Sequence, residues 1–141
     1  MHSREEFEQM VGQVISLMQT VEFDVKWIYS AMMQGPLMEN HQIVDSWTFG
    51  ATIKALQQLD ESDNTPFFKT EDYRLLRHVN HSRNDIVHHI FVRFLYTEKK
   101  YESPEYEQVD REVTQFHEEL KTLSLQMERK RFEIFKYYGR M

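Results

Sequence analysis

The sequence predicts an all-α protein: an up-and-down bundle of about four long helices, paired with a second copy about a two-fold axis. Three observations predict it. Apolar residues recur at spacings of three and four along most of the chain, no segment alternates with the period of a strand, and glycine and proline number only four and three in 141 residues. A chain of this length forms one domain, residues 1–141, with a core of its own.

Ser3 with Glu6 makes a capping box, and Phe7, Met10, Val14, Val21, Val25, Ile28 and Met32 follow on one helical face until Gly35-Pro36 closes the segment. A second helix is expected over about 40–60, with Val44, Trp47, Phe49, Ile53 and Leu56 inward, and with Gly50 admitting a neighbouring backbone. The "DESDNTP" run at 60–66 reads as a loop. From Thr70 to Tyr96, Leu76, Val79, Ile86, Ile90 and Phe94 keep one apolar stripe. Inside it, Ser82 and Asp85 form an S-x-x-D pattern, so a kink or restart at Ser82 would place Arg83 and Asn84 in a helical first turn, where free amides favour anions.

The last helix opens at Ser103-Pro104, N-cap then N1, and carries an unbroken heptad through Tyr106, Val109, Val113, Phe116, Leu120, Leu123 and Met127. Run to Tyr137 it would be roughly 50 Å long, overhanging its own bundle and packing on a second chain. The aromatics of "MERKRFEIFKYYGR" at 127–140 are expected to pack on that partner, and Tyr96, Tyr101 and Tyr106 to serve packing.

Cysteine is absent, which excludes disulfides, thiolate metal sites and a thiol nucleophile. No apolar run spans a membrane and the amphipathic N-terminus is not a secretory signal, so a cytoplasmic protein without a membrane partner is expected. The net charge of −6 hides a segregation: −7 over residues 1–68, +3 over 69–100, −6 over 101–120 and +4 over 121–141. Such a map suits a local anion site rather than a surface that coats nucleic acid.

The basic centre holds "HSRNDIVHHIF" at 81–91, in which His81, Arg83, Asn84, Asp85, His88 and His89 are threaded between apolar residues. Buried helices rarely carry so many ionisable groups without a partner or a task. Asn84 and His88 share a face at i,i+4, while Arg83 points about 140° away and reaches round by its length. They offer a fixed cation, a group that titrates near neutrality and an orienting amide. That set suffices for phosphodiester cleavage in RNA, where the 2′-hydroxyl is a built-in nucleophile. One helix supplies one set; a two-fold dimer would bring two together.

"RNDIVH" resembles the R-x4–6-H motif of the HEPN superfamily in its RN-x3-H form, and "WTFGATIKAL" at 47–56 resembles the glycine-containing helix often found before it. HEPN domains are helical bundles of about this length, usually dimers. The resemblance implies a metal-independent endoribonuclease without a cofactor, acting on RNA as a toxin of a toxin–antitoxin pair or in phage defence, with a protein antitoxin as partner. Arg83 and His88 would be the catalytic pair and Asn84 the polar residue beside them. Arg77, His81 and His89 would contact RNA. His89 stands as an alternative to His88, since R-x5-H is also permitted; otherwise it is a core-edge histidine bonded to Asp85. Ile90 occupies the tyrosine position of the H-x-Y extension found in some toxins, which puts neutralisation by modification of that residue in doubt.

Two rival readings follow from the residues alone. His78, His81, Asp85 and His88 share a helical face, yet the outer pair lie roughly 15 Å apart along the axis, too far for one metal ion. A non-catalytic bundle that binds a protein partner or scaffolds a complex would instead bury Arg83 and His88 in satisfied pairs.

Overall fold

The computed structural model describes residues 1–141 and is helical throughout, with no strand and no helix long and apolar enough to cross a membrane. Helix α1 spans Arg4–Met32, α2 Leu37–Asp45, α3 Phe49–Glu61, α4 Thr70–His89, α5 Val92–Leu95 and α6 Pro104–Tyr137, with a 3-10 turn at Lys100–Glu102.

The capping box of α1 is formed: Ser3 Oγ accepts from the Glu6 amide at 3.2 Å and Glu6 accepts from the Ser3 amide at 2.9 Å. At the other end the carbonyls left without helical partners are covered by side chains. Buried Asn40 donates to Ser30 and Met33 at 3.1 and 3.3 Å, and Arg140 donates to Ala31 and Met33 at 3.2 and 2.8 Å. Gly35, at a φ of 99°, makes the turn into α2.

The single helix expected over 40–60 is two helices. Thr48 breaks it by taking an extended conformation and capping α3, its Oγ1 accepting from the Ala51 amide at 3.1 Å. Gly50 faces the Asn80 side chain rather than a neighbouring backbone.

The extra reversal changes the topology. Phe7 meets Tyr106, Asp24 meets Arg131 and Ala31 meets Arg140, so α1 and α6 run parallel along their whole lengths. Phe91 against Phe7 and Arg83 against Glu22 show that α4 runs the opposite way across α1. Helices α3 and α4 form an antiparallel pair, pinned by Tyr73 on Asp60.

The expected overhang of α6 is absent. Tyr106, Val109, Val113, Phe116, Leu120, Leu123 and Met127 are all buried within the chain, where α1 covers the heptad seam. Near the start of α6 an aromatic cluster of Phe7, Phe94 and Tyr106 packs edge to face at 5.2–5.9 Å. Each such contact adds about 0.5–1.5 kcal/mol to burial. Of the C-terminal aromatics, Phe135 packs against Trp27 and Tyr138 against Phe67, while Phe132 and Tyr137 stay largely exposed. Tyr96, expected to pack, is 90% exposed because the chain turns away from the core after α5.

Candidate functional site

Helix α4 passes Ser82 without a break. The apolar stripe of Val79, Ile86 and Ile90 stays in register across it, so continuing the helix keeps burial that a restart would lose. Arg83 and Asn84 are therefore mid-helix residues, and the expected first-turn anion site does not form. The interruption comes later, at Ile90 and Phe91. Both keep helical dihedrals, but the hydrogen bonds tighten to an i,i+3 pattern, with the Phe94 amide donating to the Phe91 carbonyl at 3.3 Å.

Around α4, Arg77, His81, Asn84 and His88 follow at i, i+4, i+7 and i+11, and all four are exposed on one strip. Arg77 also donates to the Gln57 side chain. Asn84 and His88 make no side-chain hydrogen bond. His89 is turned about 100° from His88 and is exposed as well, and it makes no bond to Asp85. Asp85 instead lines a groove of about 260 Å³ between α4 and α6, with His78, Ser82, Arg93, Glu112 and Phe116. None of Arg83, Asn84 and His88 lines it.

Arg83 is the member of the motif that points inward. It sits in the stripe between Val79 and Ile86, and its charge needs a partner there. Glu22 of α1 supplies one, accepting from Arg83 Nη1 at 2.9 Å through Oε2. The other oxygen of Glu22 lies 3.5 Å from Lys26 Nζ, and Lys26 donates in turn to the Asp45 carbonyl at 2.9 Å. Glu22 and Lys26 were not legible as site residues, because the polar positions of α1 carry no motif.

Beyond the start of α3, where Gly50 faces Asn80, this side of α4 is uncovered. Val87, Phe91 and Leu95 are 52%, 37% and 41% exposed, and they border Asn84 and His88. An exposed apolar patch on α4 and α5 thus lies beside the motif, while Phe23, Met38, Ile43, Leu125 and Phe132 are exposed elsewhere on the chain.

The groove side of α4 is electrostatically distinct. Arg93 donates to Glu112 of α6, which holds the Glu112 carboxyl below the usual carboxylate range and tethers α5 to α6. His78 lies 3.8 Å from Glu119. No three His, Asp or Glu side chains converge closely enough to hold a metal ion, and His78, His81, Asp85 and His88 are divided between the groove and the outer strip.

Within one chain, then, the arrangement offers a half-exposed guanidinium anchored on α1 and an exposed imidazole beside an exposed amide. It encloses no cleft around them. No family model, curated protein or solved structure matches this chain.

Proposed function

We propose that the chain is a HEPN-type, metal-independent endoribonuclease that acts as a homodimer. The observation that carries this reading is the uncovered face on which Asn84 and His88 stand among Val87, Phe91 and Leu95, with Arg83 at its border. A two-fold contact through those apolar residues buries them and sets two copies of the polar set opposite each other. The cleft missing from one chain is then made by two.

In that cleft Arg83 binds the scissile phosphate through two N–H groups and stabilises the charge that builds on it. One His88 accepts the proton of the 2′-hydroxyl as its oxygen attacks phosphorus. The partner subunit's His88 donates a proton to the departing 5′-oxygen. The products are a 2′,3′-cyclic phosphate and a 5′-hydroxyl. Asn84, one turn before His88, orients the ring or the phosphate, and Arg77 and His81 extend the strip along which RNA would lie.

The test is incubation of purified protein with mixed cellular RNA in excess EDTA, wild type beside Arg83→Ala and His88→Ala. Cleavage by the wild type alone, with cyclic-phosphate ends and losses of about 10²-fold or more in the variants, is expected. Full cleavage by either folded variant sinks the assignment. Phe91→Asp should give a monomer in sedimentation and lose cleavage with it.

A second reading is favoured by one contact. The Arg83–Glu22 pair is what a non-catalytic interaction module would use to satisfy a buried-face arginine. Under that reading the same apolar face docks a protein, and RNA is untouched with or without metal.

A further inference from the structure

We infer that Glu22, held by Lys26, is the positioning residue for Arg83 and leaves the outer edge of its guanidinium free to receive an RNA phosphate. This rests on the ribonuclease reading and assigns a role in it to a residue of α1.

A carboxylate on an arginine could do either of two things. It could occupy the donors a phosphate needs, or it could fix the guanidinium plane while leaving those donors open. The geometry decides between them. Glu22 takes one N–H, at Nη1, and neither Nε nor Nη2 of Arg83 has a hydrogen-bond partner. An arginine has five N–H groups, and a phosphate needs two in a fork. The Arg83 side chain is 37% exposed while that of Glu22 is 18% exposed, so solvent reaches the arginine more than the carboxylate that holds it.

Charge points the same way. Lys26 and Arg83 each face a different oxygen of Glu22, so two cations share one anion and the group retains a net positive charge. An anion arriving at Arg83 meets attraction rather than a neutralised pair. Lys26 is itself anchored on the carbonyl of Asp45 at the end of α2, so Glu22 has a second cation, tied to the α1–α2 corner, beside its bond to Arg83. A guanidinium on a flexible stem would otherwise lose rotamer freedom when it binds phosphate, and here that freedom is already restricted.

The experiment compares wild type, Glu22→Gln, Glu22→Asp and Arg83→Ala as full chains on a fluorogenic oligoribonucleotide in EDTA, each checked for folding by thermal melt. Glu22→Gln should lower kcat about 10- to 100-fold with KM changed less than about threefold, and Glu22→Asp should recover part of kcat. In parallel, side-chain NMR of 15N-arginine protein should show slow rotation of the Arg83 guanidinium in wild type and fast rotation in Glu22→Gln. That second readout needs no activity. An active wild type with an inactive Arg83→Ala but an unaltered Glu22→Gln overturns this inference and leaves the ribonuclease reading standing. A faster Glu22→Gln overturns it too, since Glu22 would then be a competitor of phosphate. Equal Arg83 rotation in both proteins overturns it whatever the cleavage. Cleavage by Arg83→Ala at the wild-type rate removes the ribonuclease reading itself.

Discussion

Replacing Tyr73 by phenylalanine tests the joint that holds the motif helix in place. Asp60, at the end of α3, is 1% exposed and accepts three bonds: Phe67 N–H at 2.8 Å, Phe68 N–H at 3.1 Å and the Tyr73 hydroxyl at 2.6 Å. Burial, reinforced by this bond to a carboxylate, pushes the Tyr73 hydroxyl well above its ordinary range, so it stays a donor at any working pH. Tyr73→Phe removes one charge-assisted bond, worth about 1.5–3 kcal/mol, but leaves Asp60 with two amides. A loss near 1.5 kcal/mol is therefore expected. Asp60→Ala leaves two amides and a hydroxyl unsatisfied in the interior, and about 4 kcal/mol is expected. At roughly 3 °C per kcal/mol these correspond to about 5 °C and 12 °C in Tm. Urea unfolding of both variants and the double variant measures the coupling, expected at about 1.5 kcal/mol. If Asp60→Ala costs no more than Tyr73→Phe, the carboxylate does not organise this joint and the reasoning fails.

Three other outcomes follow from the packing. Arg131→Met strands Asp24, whose side chain is 3% exposed, and should cost about 3 kcal/mol, whereas Asp24→Asn should cost about 1 because Arg131 can reach water. Burial already raises the Asp24 carboxyl despite Arg131, so the Arg131→Met deficit should shrink as pH falls and Asp24 takes up a proton; chemical unfolding at two pH values checks both statements. His117 is held below its ordinary range, chiefly by burial, so the unfolded chain protonates it first and its contribution to stability is lost as pH drops through about 6.5; Tm profiles of wild type and His117→Gln should diverge there. Gly50→Ala should stay within about 1 kcal/mol of wild type by thermal melt, since its new methyl meets only the tip of Asn80 at 3.2 Å while the helix gains propensity.

How much of this was legible in the sequence depends on which signal each element carried. Helix α1 and the start of α6 were readable because a cap and an apolar stripe agree at Ser3 and at Ser103-Pro104. The split at Thr48 was also written there. On one continuous helix Val44 and Trp47 would face roughly 180° from Phe49, Ile53 and Leu56, a phase jump that a break removes. The heptad of α6 marks a seam without naming what covers it, and the overhang expected from its length is absent because α1 runs beside it as far as Arg140. Periodicity says that a stripe must be covered and not which helix covers it, and here α1 does so from within the chain. At the site, the residues of the motif were visible and their surroundings were not. Arg83 occupies an apolar-stripe position, which demands an acidic partner, yet nothing in a single sequence selects Glu22 among the acidic residues of α1.

The two arginine clamps on α1 have a mechanical consequence. Glu22 and Asp24 are two residues apart, so they project on nearly opposite sides of the helix, one gripping Arg83 of α4 and the other Arg131 of α6. A rod held from both flanks in this way cannot roll about its long axis without stretching one grip or the other. Torque applied to α6 near its basic end is thereby delivered across the width of the protein to the guanidinium of Arg83. The first helix works as a locked axle, and the angular setting of that guanidinium is a property of all three long helices together.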